Sequence, residues 1–261
     1  MTAATNARTS RTPASALAGV FVHVLAVGAN RLCVIDPDDP RFCLKYERPL
    51  HERTRVGLRQ ALRRRLGQWW PALGDNRSEW RAYRRLRARL GSRIDGVFAA
   101  CHGIVATAHG PALRCDCVRD ADGTPAPSLY QCLFGGQFAE RLGDNHDDAH
   151  DAAPRYDADA LCAAVDRMEA WLLKHHVPLF DLNSGNFAVV ADHRPATEGG
   201  PAAALRLVCV DAKSLVAGKE LLPISRWVPA LMRRKLRRRA QRLRQRIRDA
   251  HAGSTDTITP R

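Results

Sequence analysis

The chain has 261 residues, 45% of them hydrophobic and 26% charged, enough apolar material for one large domain or two small lobes and too much for a disordered or fibrous protein. Lys and Arg number 41 against 27 Asp and Glu, a formal net charge of +14, so the surface favours an anionic partner that composition alone does not identify. Much of this charge is local: residues 226–248 carry eleven basic side chains and no acidic one, and without them the net charge would be +3.

The N-terminal stretch only partly resembles a leader peptide. Arg8 and Arg11 precede an apolar run over 17–28, but His23 interrupts it and Arg31 follows closely. Val20, Val22, Val24 and Val27 equally suit a first strand behind a disordered tail, because β-branched residues favour strands. No run of about 18 apolar residues occurs, so no membrane-spanning helix is expected.

Residues 32–35 and 42–46 read as strands around the turn Asp36-Pro37-Asp38-Asp39-Pro40, a hairpin. Val56, Leu58, Leu62, Leu66 and Trp69 among six arginines predict a helix over 53–70 with a basic outer face. Asn76 and Ser78 are cap candidates for a second helix running through Glu79, Trp80, Tyr83, Leu86 and Leu90 to Gly91. Strands follow over 97–107 and 112–118, then a turn over 120–127 and an acid-rich loop over 144–159.

Leu161, Val165, Met168, Trp171 and Leu172 lie on one helical stripe that ends near His175 and His176. A helix C-terminus favours cationic side chains, and without a third ligand nearby a metal role for the two histidines is disfavoured. A short apolar strand is expected over 177–180. The eight cysteines, at 33, 43, 101, 115, 117, 132, 162 and 209, show no CxxC or zinc spacing and read as buried reduced thiols. Cys115 and Cys117 alternate with Asp116, as two core residues on one strand face would.

The most informative stretch is Phe180-Asp181-Leu182-Asn183-Ser184-Gly185-Asn186, followed by apolar strands over 187–190 and 205–210 and then by Asp211. This order of strand, D-x-x-x-x-N loop, strand, turn, strand and Asp resembles the catalytic core of the protein-kinase-like superfamily. The resemblance implies that Asp181 orients or deprotonates the accepting hydroxyl, that Asn186 and Asp211 hold Mg²⁺, and that Lys45 grips the nucleotide phosphates and is positioned by Glu79. Gly28 would belong to a degenerate phosphate-covering turn over 28–31, with one glycine where the superfamily has three.

Over most of its length the chain more closely resembles the YrbL family, bacterial proteins associated with the PhoP regulatory network and related to kinases in fold. The matching features are Val27-Gly28-Ala29-Asn30-Arg31-Leu32-Cys33, the run from Asp36 through Lys45, the helix from Glu79 to Leu90 and the Asp120-Ala121-Asp122-Gly123-Thr124-Pro125 turn. Later come the Asn186 loop, Val208-Cys209-Val210-Asp211 and Pro223-Ile224-Ser225-Arg226-Trp227. Departures from the kinase pattern are Leu179-Phe180 for His-Arg, Asn183 for Lys, and Ala212-Lys213 for Phe-Gly. The 50 residues after Asp211 contain no Ala-Pro-Glu segment, which disfavours a protein substrate.

The expected fold is α+β, a protein-kinase-like bilobal fold with a strand-rich N-lobe over 19–125 and a reduced helical C-lobe over 126–250. That C-lobe would hold the catalytic-loop-like segment 177–213 and a basic C-terminal helix 226–248, between disordered tails at 1–18 and 251–261. In the basic helix, Val228, Leu231, Met232, Leu236, Leu243 and Ile247 form the expected apolar stripe.

The expected function is Mg-ATP-dependent phosphoryl transfer to a non-protein or envelope-related acceptor, with ATP and Mg²⁺ as cofactors. The alternatives are a catalytically inactive pseudokinase-type regulator or adaptor, and a basic module that binds membrane surfaces or nucleic acid. Besides nucleotide, the expected partner is an anionic group on the 226–248 arginines: a lipid headgroup, a lipopolysaccharide core or another phosphorylated acceptor. Nucleic acid is less expected, since only Trp227 offers stacking there. A cytoplasmic location, or a peripheral one at the inner membrane, follows from the resemblance.

Overall fold

The computed structural model describes residues 23–28, 30–49, 74–142, 156–192, 204–215 and 228–255. The expected tail 1–18, Val20, Val22, the basic helix over 53–70, most of the acid-rich loop and Trp227 lie outside these residues.

The fold is mixed α+β. Strands β1 (Val24–Val27), β2 (Arg31–Ile35), β3 (Phe42–Glu47), β4 (Cys101–Thr107) and β5 (Gly110–Asp116) form an antiparallel sheet in the order β1-β2-β3-β5-β4. The β2–β3 turn is held by Asp36, whose Oδ1 accepts from the Asp38 amide at 3.1 Å and whose Oδ2 accepts from Arg114 Nε at 2.9 Å. Pairing Cys33 with Lys45, and Cys115 with both Cys43 and Cys101, places all five side chains on one face, because strand side chains alternate. Leu32, Val34, Leu44, Tyr46 and Ala112 occupy the other face as a small separate core.

Helix α1 (Asp75–Leu90) packs on the cysteine face through Glu79, Ala82, Tyr83 and Leu86, the i, i+3, i+4, i+7 stripe expected of an amphipathic helix. Neither cap candidate caps it. Gly74 is the N-cap, while Asn76 and Ser78 are buried within the first turn, because Asn76 Nδ2 donates to Lys45 O at 2.7 Å and is taken up in joining the helix to β3. The strand expected from residue 97 begins only at Cys101, after a 3-10 turn over Gly91–Ile94.

The remaining elements are α2 (Leu129–Leu142), kinked at Phe134, α3 (Ala158–Lys174), the antiparallel hairpin β6 (Phe187–Asp192) and β7 (Ala204–Cys209), and α4 (Pro229–Thr255). The last part of the expected acid-rich loop is instead the start of α3: Asp157 caps it, accepting from the Asp159 and Ala160 amides at 3.0 and 3.2 Å. Residues 177–180 form no strand. His176 reverses the chain at a φ of 50°, and the following backbone bonds locally, Leu179 N to Val177 O, instead of to a neighbouring strand.

Helix α4 starts at Pro229 and continues to Thr255, so residues 251–255 are helical where a disordered tail was expected. His251 fixes this end, with Nδ1 2.8 Å from Ile247 O and Nε2 3.0 Å from Tyr156 O. The apolar stripe is core at Met232, Leu236, Ala240, Leu243 and Ile247, but Val228 and Leu231 are exposed, since they precede the length of helix that packs on α3. Arg244 pins that packing, with Nη1 2.7 Å from Asp166 and 2.8 Å from Glu169. One hydrophobic core runs from Cys43 and Leu113 of the sheet through Leu86 and Leu172 to Phe187 and Leu236. All eight cysteines are free thiols, seven buried and Cys33 half-buried. Among the described residues no helix is long and apolar enough to cross a membrane.

Candidate functional site

The site begins with Lys45 on β3, the middle strand of the sheet. Asn76 anchors the first turn of α1 to that strand through both its side chain and its amide, the latter donating to Glu47 Oε1 at 2.8 Å. Glu79 follows one helical turn later and so faces the same strand. Its Oε1 accepts from Lys45 Nζ at 2.8 Å, with the two side chains only 7% and 2% exposed. Lys45 Nζ also donates to Val210 O, just past β7, which brings the sheet, α1 and the hairpin to one point.

Arg31, the first residue of β2, lies on the same sheet face two residues before Cys33. One terminal nitrogen bonds Glu79 Oε2, and the other lies 2.7 Å from Asp211 Oδ2. Lys213 Nζ reaches that same oxygen at 3.1 Å, and the Lys213 amide donates to Oδ1 at 3.1 Å. Lys213 also stands 3.8 Å from Asp75, whose Oδ2 accepts from Asn30 Nδ2 at 3.1 Å. Three cations therefore alternate with three carboxylates in a largely desolvated cluster.

Burial works against the ionised form of Asp211, and Arg31, Lys213 and Lys45 overcome it, holding the carboxyl well below the usual range. Burial likewise opposes charge on Lys45, and its surroundings, Cys115 and Glu79 foremost, keep it charged. Behind Glu79 lie the thiols of Cys101 and Cys115, the three possible ligand atoms falling within 4.8 Å of one another. Burial also pushes the Cys209 thiol up.

Asp181 and Asn186 share the loop that leads into β6. Asn186 Nδ2 donates to the Asp181 carbonyl at 3.1 Å, and the Asn186 carbonyl accepts from the Val210 amide at 2.9 Å, so the loop rests against the residue before Asp211. The Asp181 residue is exposed, and among the described residues no hydrogen bond or ion pair ties its carboxylate to the cluster. Lys235 of α4 lies 4.1 Å from the ring centroid of Phe180, linking the basic helix to this loop. Gly28 sits in the turn between β1 and β2, where its amide donates to Arg31 O at 2.8 Å and its carbonyl accepts from Arg48.

Lys45, Glu79 and Asp211 thus share one cluster, Asn186 abuts it through the backbone, and Gly28 and Asp181 flank it. Sequence reasoning missed Arg31, Lys213 and Asp75 as members. The signal for Arg31 was strand alternation with Cys33 and Lys45, which becomes readable only once the β2–β3 register is known. Asn186 and Asp211 offer the hard oxygen donors that suit Mg²⁺. The contact with Asp181 engages the amide nitrogen of Asn186, so Oδ1 is the side-chain atom that could face a cation. No protein-family model matches the chain, and no curated protein matches its sequence.

Proposed function

We propose that the chain is a kinase-like phosphotransferase of the YrbL type, acting with Mg-ATP on an acceptor hydroxyl that is not part of a protein. The observation that carries this reading is the buried Lys45–Glu79 pair, with Lys45 on the middle strand and Glu79 on the packed helix, joined to Asp211 at the end of a hairpin that follows the Asp181–Asn186 loop. Phosphoryl transfer needs little covalent help and much positioning of charge, and an arrangement of this kind can provide it.

In this reading Lys45 binds phosphate oxygens as a point charge while Glu79 fixes its ammonium. Asn186 and Asp211 would hold Mg²⁺, which supplies neutralisation of phosphate charge. Asp181, exposed at the loop, would align the acceptor hydroxyl and accept its proton. The test is a thermal-shift titration with ATP, with and without Mg²⁺, on wild type, Lys45→Met and Asp211→Asn, because a ligand of the folded state alone raises the melting temperature. A Mg²⁺-dependent shift lost in both variants is expected. No shift in the wild type would overturn the reading and leave a kinase-like scaffold used as an adaptor.

A second reading concerns the partner. Arg233, Arg234, Arg237 and Arg238 line a shallow hollow on α4 together with Gln241. Exposed guanidinium groups on adjacent turns suit phosphate oxygens, which supports an anionic acceptor or surface docking on this face of α4.

A further inference from the structure

Asp211 already has cations on it. Arg31 Nη2 at 2.7 Å and Lys213 Nζ at 3.1 Å both take Oδ2, and the Lys213 amide takes Oδ1. The Arg31 bridge is desolvated, its side chain 10% exposed against 2% for Glu79 and 12% for Asp211. A planar guanidinium can hold two carboxylates from different elements at once, which a single ammonium on a flexible stem does poorly. Arg31, Lys45 and Lys213 together balance Glu79, Asp211 and Asp75, so the cluster is neutral as it stands. A divalent ion added beside Asp211 with Arg31 in place would leave two uncompensated positive charges in a poorly solvated pocket, a costly state. With Arg31 withdrawn, the same pocket carries one net negative charge and favours a cation.

We propose that Arg31 is the resident cation of the Asp211 site, so that a divalent ion binds there only when Arg31 leaves, and that Arg31 thereby sets the metal dependence of the site. Its place at the end of the 28–31 turn, where its carbonyl closes the hydrogen bond to Gly28, puts the guanidinium on the segment that would cover a bound phosphate. An incoming phosphate offers Arg31 a new partner and leaves Lys213 as the ion-pair partner of Asp211. The choice of phosphate and Mg²⁺ rests on the phosphotransfer reading, but competition between Arg31 and a divalent ion needs no nucleotide.

The experiment titrates the full chain with Mn²⁺ alone and reads free Mn²⁺ by electron paramagnetic resonance, for wild type, Arg31→Gln and Arg31→Gln/Asp211→Asn. Arg31→Gln should bind Mn²⁺ about tenfold or more tightly than wild type, as expected for removal of a competing buried charge, and the double variant should lose the gain. Equal affinity in wild type and Arg31→Gln, or a gain that survives in the double variant, would overturn the proposal. Should Arg31→Gln fail to fold by circular dichroism, Arg31→Met takes its place. It removes the same charge with a side chain of similar length, and Mn²⁺ affinity equal to wild type would again overturn the proposal. ATP binding by wild type that persists without any gain in Mn²⁺ affinity sinks this inference and leaves the phosphotransfer reading standing. A gain in Mn²⁺ affinity in a protein that binds no ATP does the reverse.

Discussion

Lys45 and Glu79 meet at 2.8 Å across 34 positions of sequence, and the other oxygen of Glu79 serves Arg31. One carboxylate therefore compensates two buried cations, and the two partners should not respond alike to substitution. Removing one partner of a buried pair strands the other, at a cost of about 3–5 kcal/mol. Glu79→Gln should reach that range because Lys45 loses its carboxylate and Arg31 loses one of its two. Lys45→Met should cost less, since Glu79 keeps Arg31. Urea unfolding of the two variants measures the order, and a larger loss in Lys45→Met would refute it.

Acid should destabilise the fold through Asp211. Its carboxyl titrates well below the ordinary value in the folded protein, because Arg31, Lys213 and Lys45 outweigh its burial, and at about 3.9 in the unfolded chain. The unfolded state then binds the extra proton, so this stability is present above pH 4 and is lost as pH falls towards the folded value. The contribution to the slope is about 1.4 kcal/mol per pH unit. Melting curves between pH 5 and 2.5 should fall more steeply in wild type than in Asp211→Asn. Parallel curves would exclude Asp211 as the source.

Helix α4 has a structural side and a free side. Leu236 is fully buried, so Leu236→Ala should cost about 2–5 kcal/mol. Arg234→Gln and Arg238→Gln, on the exposed side, should stay within about 0.5 kcal/mol. These two also weaken any anionic docking without harming the fold, which deleting the helix cannot do. Comparable losses at Leu236 and Arg238 in denaturant unfolding would contradict this division.

The thiols should react in a defined order. A hydrogen bond with Cys43 lowers the pKa of Cys33 against its burial, whereas hydrogen bonds to neighbouring thiols, and then burial, raise Cys43 and Cys101. Thiolate is the reactive form, and Cys33 alone is half-buried. A brief exposure to iodoacetamide, followed by peptide mass spectrometry, should find Cys33 modified first and the other seven only after unfolding. Early labelling of Cys132 or Cys162 would show that the helices open more readily than their burial implies.

Much of the fold was legible because it rests on local pattern. The Asp36 turn, the strands around Lys45 and the stripe of α3 are written in alternation, turn chemistry and helical spacing. The cap of α1 was misread because Asn76 is held by Lys45 O, a tertiary bond that no local rule contains. The strand expected over 177–180 failed for want of a neighbour, since apolar residues alone do not supply one. In the site, Lys45, Glu79 and Asp211 were found by their order, while Arg31 and Lys213 entered it through register and through a side chain two residues beyond Asp211. Lys213 had been read only as a departure from the kinase pattern, and Arg31 only as part of the 28–31 turn and of the family resemblance.

The connector between α1 and β4 is stitched to the hairpin: Ala99 N donates to Cys209 O at 2.9 Å and Cys209 N donates to Val97 O at 2.8 Å. Cys209 lies two residues before Asp211, and Ala99 two residues before β4 begins. This splice makes the edge of the sheet and the base of the hairpin one mechanical piece, with its fulcrum at Cys209. The β1–β2 turn, on the opposite edge of the sheet, meets the hairpin through the Arg31–Asp211 ion pair. Opening the cluster therefore falls to the Arg31 edge, while Asp211 stays with the anchored side. The amides of Ala99 and Cys209 should accordingly exchange with solvent only when the core itself unfolds.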